Sequence, residues 1–204
     1  MAQRGVGPAE LFGHFGMSRD IFPAEFLGKE KGDVLIVGGG RSVWDDVAKL
    51  WPLPEAVIAV NDIGMYWPGY LKGWYSNDAV QLKAWHAGRR HWWEQIYKQT
   101  IPLHSCFAEK AGGGVHNWPF PAHGSSGLVV TLMALAMGYE RLWMAGIPLD
   151  DTGHFYDPPT GHPLVRGRKL SNFENETRDR TLENLKPLLK GRIKAASGRL
   201  LEFA

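Results

Sequence analysis

Residues 148–171 contain the densest group of side chains that could move a proton or balance the charge of a phosphate. His154 and His162 are of the type that acts as a general acid or base near neutral pH. We interpret the segment as a mobile loop that closes over a substrate. It also carries cations suited to a leaving phosphate, namely Arg166, Arg168 and Lys169. Two alternatives stay open: an ordinary solvated loop, or a metal site, for which its His and Asp residues show no firm ligand spacing.

A second candidate is the stretch VLIVGGGRS, residues 34–42, in which an apolar segment meets three glycines, a cation and a hydroxyl. A turn of this kind before a helix can hold a phosphate on backbone N–H groups. The candidate nucleotide-binding residues are Gly38, Gly39, Gly40, Arg41 and Ser42. The pattern is neither a dinucleotide fingerprint, whose third glycine would fall at Val43, nor a P-loop. A tight turn that binds nothing is the alternative.

Polar or small residues also follow later apolar segments. Asn61 and Asp62 end one of them, and the Asn61 amide could contact a base or a ribose. Asn77 ends another. A helix start that favours anions is formed by Ser125, Ser126 and Gly127. The alternative for each group is a structural turn or helix cap.

These candidates depend on a predicted alternation of strands and helices. Strands are predicted over 33–37, 56–60, 73–76, 101–105, 141–145 and 192–195, and helices from Ser42 to about 50, then over 79–97, 126–138 and 172–190. Pro187 is expected to end or kink the last helix. The order predicts an α/β fold, a single Rossmann-like domain with a mostly parallel, doubly wound sheet and helices on both faces. Ligands of such sheets bind beyond the carboxyl ends of the strands, so the candidates should share one edge.

Length and composition fit one domain. The chain has 204 residues with 44% hydrophobic content, and we predict an N-terminal arm over 1–32 and the Rossmann-like domain over 33–204. A net charge of +2 without a basic tract argues against nucleic-acid binding. A single cysteine, Cys106, fits a reducing compartment. With no membrane span and no leader in the pattern, the expected location is the cytoplasm, and a homo-oligomer stays open.

Tryptophan is unusually frequent, with nine copies. Five of them lie between residues 67 and 93. The first interpretation is a large aromatic core. The alternative is a platform for a sugar ring or a base, because flat apolar faces suit both.

Three segments together resemble a known family. VLIVGGGRS, AVIAVND and GSSGLVVTLMALAMGYERLWMAGIPLD are similar to the bacterial sialyltransferases of glycosyltransferase family 42 and to the MptE-like and motility-associated glycosyltransferase-like domains. The shared pattern is a strand entering a G-x-G-P-S turn, a strand ending in asparagine, an S-G helix start and a strand followed by an acidic residue. Arg41 stands where the family has proline, and Asp150 supplies the acidic residue.

The resemblance implies a glycosyltransferase-like enzyme that binds a nucleotide-activated sugar and needs no metal or other cofactor. It places the nucleotide across the glycine turn, Asn61 and the helix start at Ser126. A lid histidine, His154 or His162, would be the general base, and Tyr156 would stabilise the leaving phosphate. Two alternatives remain: an MptE-like pyrophosphokinase that requires Mg²⁺, and a non-enzymatic nucleotide- or carbohydrate-binding module of the same fold.

Overall fold

The computed structural model describes residues 8–97, 100–121, 125–150, 153–157 and 172–203. Its centre is a sheet of seven strands: β1 (Asp33–Val37), β2 (Val57–Val60), β3 (Gly73–Tyr75), β4 (Leu103–Ser105), β5 (His116–Asn117), β6 (Arg141–Ala145) and β7 (Ile193–Ala195). The order across the sheet is β5-β4-β3-β2-β1-β6-β7, and every neighbouring pair is parallel. The chain builds outward from β1 in one direction and then returns to its other side, so the sheet is doubly wound around a switch point between β1 and β6.

The described residues form six α-helices around the sheet: α1 (Pro8–Phe15), α2 (Val43–Leu50), α3 (Ile63–Tyr66), α4 (Ala79–Tyr97), α5 (Ser126–Met137) and α6 (Asn172–Leu189). Short 3-10 helices cover Arg19–Ile21, Ala108–Ala111 and Arg199–Phe203. The first four strands are joined through α2, α3 and α4, while α5 and α6 lead into β6 and β7. The predicted α/β fold with helices around a parallel sheet is therefore confirmed.

The central strand β1 shows why its sequence lacks alternation. Val34 and Ile36 belong to the core cluster that includes α5 and α6, whereas Leu35 and Val37 belong to the cluster of α2, α3 and the start of α4. All four side chains are fully buried. Because successive side chains point to opposite faces, a strand covered on both faces reads as a continuous apolar run.

Several predicted boundaries differ from the structure. The short strand β5 lies inside the predicted loop 111–124, because two residues are too few to show a pattern. β4 begins at Leu103 rather than 101, and the carbonyl of Pro102 accepts the N–H of Trp74 at 3.0 Å. Helix α6 continues past Pro187 to Leu189, so Pro187 does not end it. Near a helix end a proline disturbs few of the remaining backbone hydrogen bonds.

Residues 8–32 pack onto the sheet domain. Leu11 and Phe12 of α1, with Phe22 and Leu27, are buried in the same cluster as α5. The N–H groups of Gly28 and Glu30 donate to the carbonyls of Ala136 and Met137, each at 2.9 Å. This part of the chain therefore covers the end of α5. Within the part of the chain that the structure describes, no helix is long and apolar enough to cross a membrane.

Candidate functional site

The glycine turn lies in close contact with the chain after β6. A Cβ added to Gly38 would lie 2.6 Å from the carbonyl oxygen of Gly146 and 2.6 Å from Ile147 Cγ1. A Cβ on Gly40 would lie 2.6 Å from Pro148 Cδ. Two parallel strands at the switch point thus continue into turns whose backbones touch. Side chains are absent from this turn because there is no room for them.

Most of the turn's N–H groups are bonded within the protein. Gly38 N donates to the carbonyl of Ala145 at 2.8 Å, and Gly40 N donates to that of Gly146 at 2.8 Å. Arg41 N donates to the carbonyl of Gly153 at 3.0 Å. A phosphate could reach these three groups only after a rearrangement. The turn therefore acts first as a scaffold that joins β1 to the segments after β6.

Asp46, one turn into α2, fixes this scaffold. It is 1% exposed, and its Oδ2 accepts from Ser42 Oγ at 2.8 Å, Ser197 Oγ at 2.8 Å and Gly146 N at 3.0 Å. Ser42 occupies the N-cap position of α2 but makes no side-chain capping bond. The Ser42 hydroxyl instead donates to the buried Asp46 carboxylate. The Asp46 carboxylate ties together the glycine turn, the end of β6 and the C-terminal segment.

A short segment after β6 closes onto the glycine turn. His154 forms an isolated antiparallel bridge with Gly40, and Phe155 N donates to the carbonyl of Gly39 at 3.0 Å. His154 N donates to Asp157 Oδ2 at 2.6 Å, which stabilises a tight turn. Residues 153–157 therefore lie at the carboxyl edge of the sheet, beside the ends of β1 and β2. The predicted loop thus reaches the predicted turn.

This contact gathers three of the candidate side chains. A Cβ on Gly39 would lie 2.9 Å from Asp62 Oδ1 and 3.2 Å from His154 Nδ1. Tyr156 donates its hydroxyl to Asp62 Oδ2 at 2.5 Å, and its ring stacks on that of His154 with centroids 5.1 Å apart. Partial burial, with the hydrogen bond to Asp62, raises the pKa of Tyr156 above its usual value, so its phenol stays protonated at neutral pH. Asp62 is 9% exposed, whereas His154 is exposed.

A second group of candidates lies along the ends of β2 and β3. Asn61 adopts a left-handed conformation with φ 59°, and its Oδ1 accepts from Ser76 Oγ at 2.9 Å. Asn77 Oδ1 accepts from Tyr75 Oη at 2.8 Å. Asn77 N donates to Ser126 Oγ at 3.1 Å, which joins the end of β3 to the start of α5. The candidates at Asn61, Asn77 and Ser126 are therefore neighbours.

The start of α5 is shaped by close packing. A Cβ on Gly127 would lie 2.6 Å from Ile147 Cγ2. Ser125 precedes the helix in an extended conformation, and its hydroxyl makes no capping bond. Its carbonyl accepts the N–H groups of Leu128 and Val129. The first turn of α5 thus lies beside the loop after β6, on the opposite face of the sheet from α2.

The remaining candidates are less closely placed. Asp150 is exposed and follows Leu149, which has φ 56°. The guanidinium of Arg41 approaches Gly153, with Nη2 3.8 Å from the position of an added Cβ. His162, with Arg166, Arg168 and Lys169, lies outside the described residues. No group of three or more His, Cys, Asp or Glu side chains among the described residues is arranged to hold a metal ion.

Sequence reasoning missed two residues of this region. Neither Asp46 nor Ser197 was among the candidate residues. Both make hydrogen bonds to residues at least 100 positions away in the sequence, Asp46 with Gly146 and Ser197 with Asp46. No local pattern could have shown that pairing. The one available signal was the position of Asp46, four residues after Ser42, on the same helix as the buried Val43 and Leu50.

Two further buried groups at the sheet, His104 and Cys106, contact other residues of the core. His104 is fully buried, its Nδ1 accepts from Trp118 Nε1 at 3.0 Å, and burial with His116 nearby lowers its pKa to about 3. The buried Cys106 thiol lies 3.5 Å from Asn77 Oδ1, and burial raises its pKa. Neither group reaches the cluster of Asp62, His154 and Tyr156 through any bond that the described residues make.

Comparison with known proteins gives matches at the level of structure. No protein-family model and no curated protein matches the sequence. Solved sialyltransferases do match: CST-II in complex with a trisaccharide acceptor and CMP, at 17% identity and a TM-score of 0.54, with 84% of each chain covered. CstII from Campylobacter jejuni with the substrate analogue CMP-3FNeuAc gives the same values. The monofunctional α-2,3-sialyltransferase Cst-I from Campylobacter jejuni matches at 16% identity and a TM-score of 0.56, covering 92% of this chain and 82% of that one.

These matches show a shared fold. Their identity is too low to carry residue roles from one chain to the other. The predicted resemblance to sialyltransferases therefore extends to the fold over most of the chain, including regions where the sequence pattern was weak. No match supports the MptE-like part of that resemblance. What this chain shares with the bacterial sialyltransferases is the arrangement of its sheet and helices.

Proposed function

We propose that this protein binds a nucleotide-activated sugar and transfers the sugar to an acceptor hydroxyl. The observation that carries the proposal is the cluster of His154, Tyr156 and Asp62 over Gly39, at the carboxyl edge of a doubly wound sheet. Ligands of such sheets bind at this edge, next to the switch point. Solved proteins with the same fold are sialyltransferases crystallised with CMP or CMP-3FNeuAc. Fold and site therefore favour the same class of reaction.

The donor nucleotide would lie between the ends of β2 and β3 and the start of α5. Asn61 and Asn77 would offer amide groups to the base or ribose. The first N–H groups of α5, with the Ser125 hydroxyl, would receive a phosphate, because a helix N-terminus favours an anion. The turn at 38–40 would position this site without binding the nucleotide itself, since most of its N–H groups already donate to backbone carbonyls.

His154 would act as the general base. Its ring is exposed and held beside Asp62 and Gly39. It would take the proton of the acceptor hydroxyl while the acceptor oxygen attacks the anomeric carbon. The bond between that carbon and the phosphate would break, and the phosphate would keep the electron pair. Tyr156 and Arg41 would donate hydrogen bonds to the leaving phosphate, for which Tyr156 must exchange its bond to Asp62.

Isothermal titration with CMP, UMP, GMP and AMP tests the donor site. We expect binding of at least one of them, unchanged after treatment with EDTA, because the proposed chemistry uses no metal. Absence of binding by every nucleotide and nucleotide sugar at millimolar concentration would contradict the proposal. Binding that EDTA abolishes would instead favour the Mg²⁺-dependent pyrophosphokinase.

Substitution of His154 tests the mechanism. We expect His154→Gln to lower kcat by about 10²-fold or more, with little change in the nucleotide Kd, because a general base acts on the acceptor. His14→Gln is the matched control, since His14 lies in the last turn of α1, where its Nε2 is 3.1 Å from the carbonyl oxygen of Asn184. His162→Gln tests the other candidate histidine. Unchanged turnover in both His154→Gln and His162→Gln would rule out a lid base.

A further inference from the structure

Four aromatic side chains form a continuous surface next to the candidate site. They are Trp44 of α2, Tyr66 at the end of α3, and Phe155 and Tyr156 of the segment after β6, and we call them the aromatic platform. Trp44 is 41% exposed, Tyr66 49% and Tyr156 51%. Exposed aromatic rings in contact with one another are uncommon on a surface that binds nothing.

The platform is held in place by ring contacts. Phe155 lies at its centre, with its ring edge-on to Trp44 at 5.9 Å and to Tyr66 at 5.3 Å between centroids. Tyr66 and Tyr156 have centroids 6.4 Å apart. Below, Trp44 stacks on the buried Trp67 at 6.2 Å with an interplanar angle of 10°. The rings are therefore set before any ligand arrives, which lowers the entropic cost of binding.

The position of the platform separates it from the proposed nucleotide site. Trp44 and Tyr66 lie on the face of the sheet that carries α2 and α3, and Phe155 packs against the core cluster of that face. The start of α5 lies on the other face. His154, whose ring stacks on Tyr156, stands between the two. A ligand on the platform would therefore approach His154 from the side opposite to the donor.

Among the described residues, three carboxylates lie next to the platform or to the side chains it contacts. Asp45 follows Trp44 and is exposed, and Asp62 and Asp157 lie below Tyr156 and His154. Arg41, whose guanidinium is close to Gly153, is a cation in the same described part of the chain. A ligand with its own carboxylate would be repelled by these groups, whereas hydroxyls could donate to them. Flat rings bordered by carboxylates suit a neutral sugar, which has one apolar face and hydroxyls at its rim.

We propose that the aromatic platform binds the pyranose ring of a neutral glycoside, which serves as the acceptor. The role of this glycoside as the acceptor rests on the proposed function. The binding of a sugar rests on the platform alone. Of the five tryptophans between 67 and 93 that could form a sugar platform by sequence, Trp67 and Trp74 are buried and offer no exposed ring face. The aromatic platform contains one tryptophan, Trp44, and three residues that are not tryptophan.

Saturation-transfer NMR and titration with methyl β-D-galactopyranoside and methyl β-D-glucopyranoside test the platform, with methyl β-D-glucuronide as the acidic counterpart. We expect at least one neutral glycoside to bind when the nucleotide identified by the titration is present, and the glucuronide to bind more weakly. Trp44→Ala and Tyr66→Ala should each weaken the neutral glycoside about fivefold, while the nucleotide Kd stays within about twofold. Trp51→Ala is the control, since Trp51 is 73% exposed and lies beyond the other end of α2.

Each outcome decides the question. The proposal is overturned if no neutral glycoside binds, if the glucuronide binds equally well, or if neither Trp44→Ala nor Tyr66→Ala weakens binding. Should Trp44→Ala unfold through loss of its contact with Trp67, the exposed Tyr66 still gives the answer. If glycosides bind through the platform but no nucleotide binds, the proposed transfer fails and the sugar site stands. If nucleotides bind and glycosides do not, the proposed sugar site fails and the proposed nucleotide site stands.

Discussion

Residues 38–40 and residues 112–114 are both runs of three glycines, and they differ in what surrounds them. In the first run the three φ angles lie outside the left-handed region, and an added Cβ on Gly38 or Gly40 would come within 2.6 Å of neighbouring atoms. In the second run the φ angles are 66°, 99° and 74°, and an added Cβ would meet nothing within 4 Å. The first run needs space, and the second needs backbone conformations that other residues avoid.

The partners of the two runs come from different distances along the chain. Residues 38–40 contact 146–148 and 153–155, so they join the end of β1 to the segment that carries His154. Residues 112–114 lie in a local turn, stabilised by Lys83 Nζ, which donates to the carbonyls of Ala111 at 3.0 Å and Gly113 at 3.3 Å. Identical sequence can therefore serve the candidate site in one place and a loop in another, and only distant partners distinguish them.

Gly38→Ala should have the largest effect on stability. The new methyl group would collide with the Gly146 carbonyl, which is backbone and cannot turn away. We expect the free energy of unfolding, measured in urea, to fall by about 3 kcal/mol. Gly13→Ala is the matched control, because Gly13 lies in α1 with open space around it and alanine favours helix. Equal stability of both variants would remove the steric explanation for the first run.

Asp46→Asn should come next, because it weakens the group that holds Gly146 against the turn. The asparagine oxygen could still accept from the three donors that now bond to Asp46 Oδ2, but these bonds would lose the negative charge of the acceptor. The new NH₂ group would take the buried position of Oδ1, which has no hydrogen-bond partner among the described residues, and we expect a loss of about 2 kcal/mol. Asp45→Asn is the control on the neighbouring, exposed residue, with an expected change within about 0.5 kcal/mol. A loss of the same size in both would mean that charge on α2, rather than the hydrogen bonds of Asp46, matters.

The comparison also shows what sequence can predict. β1 and the turn after it were predicted at the right positions, because a continuous apolar run ending in glycines depends on local chemistry and burial on both faces. The parallel order follows from the alternation of strands and helices. The approach of His154 to Gly39 and Asp62 does not follow from any spacing, since it depends on a bridge between residues over a hundred positions apart. Nor did the sequence show that the amides of the turn would be bonded to the protein.

Gly112→Ala should cost less than either substitution above. Gly112 is left-handed, with φ 66° and ψ 31°, so alanine would be strained by its own backbone while its methyl group meets nothing. We expect a loss of about 1.5 kcal/mol. Asparagine tolerates this conformation, so Gly112→Asn should lose less than half as much in the same urea titration. If alanine and asparagine cost the same, backbone conformation is not what selects glycine in the second run.

Gly39→Ala should have the smallest effect on stability and separates the middle glycine from its neighbours. Its methyl group would face Asp62 Oδ1 and His154 Nδ1, which are ends of side chains and can move by a few tenths of an ångström. We expect a loss of about 0.5 kcal/mol in urea, since only side chains must adjust. The same adjustment displaces the proposed general base, so kcat/KM should fall about tenfold with an unchanged nucleotide Kd.

This variant divides two explanations of the first run. If Gly39→Ala unfolds as readily as Gly38→Ala, the three glycines form one steric unit and the middle one has no separate role. If it folds normally and transfers sugar at the wild-type rate, the contact of His154 with Gly39 does not set the geometry of the reaction. Loss of turnover with retained stability means that Gly38 and Gly40 keep β1 close to β6, while Gly39 leaves room for the side chains that act on the substrate.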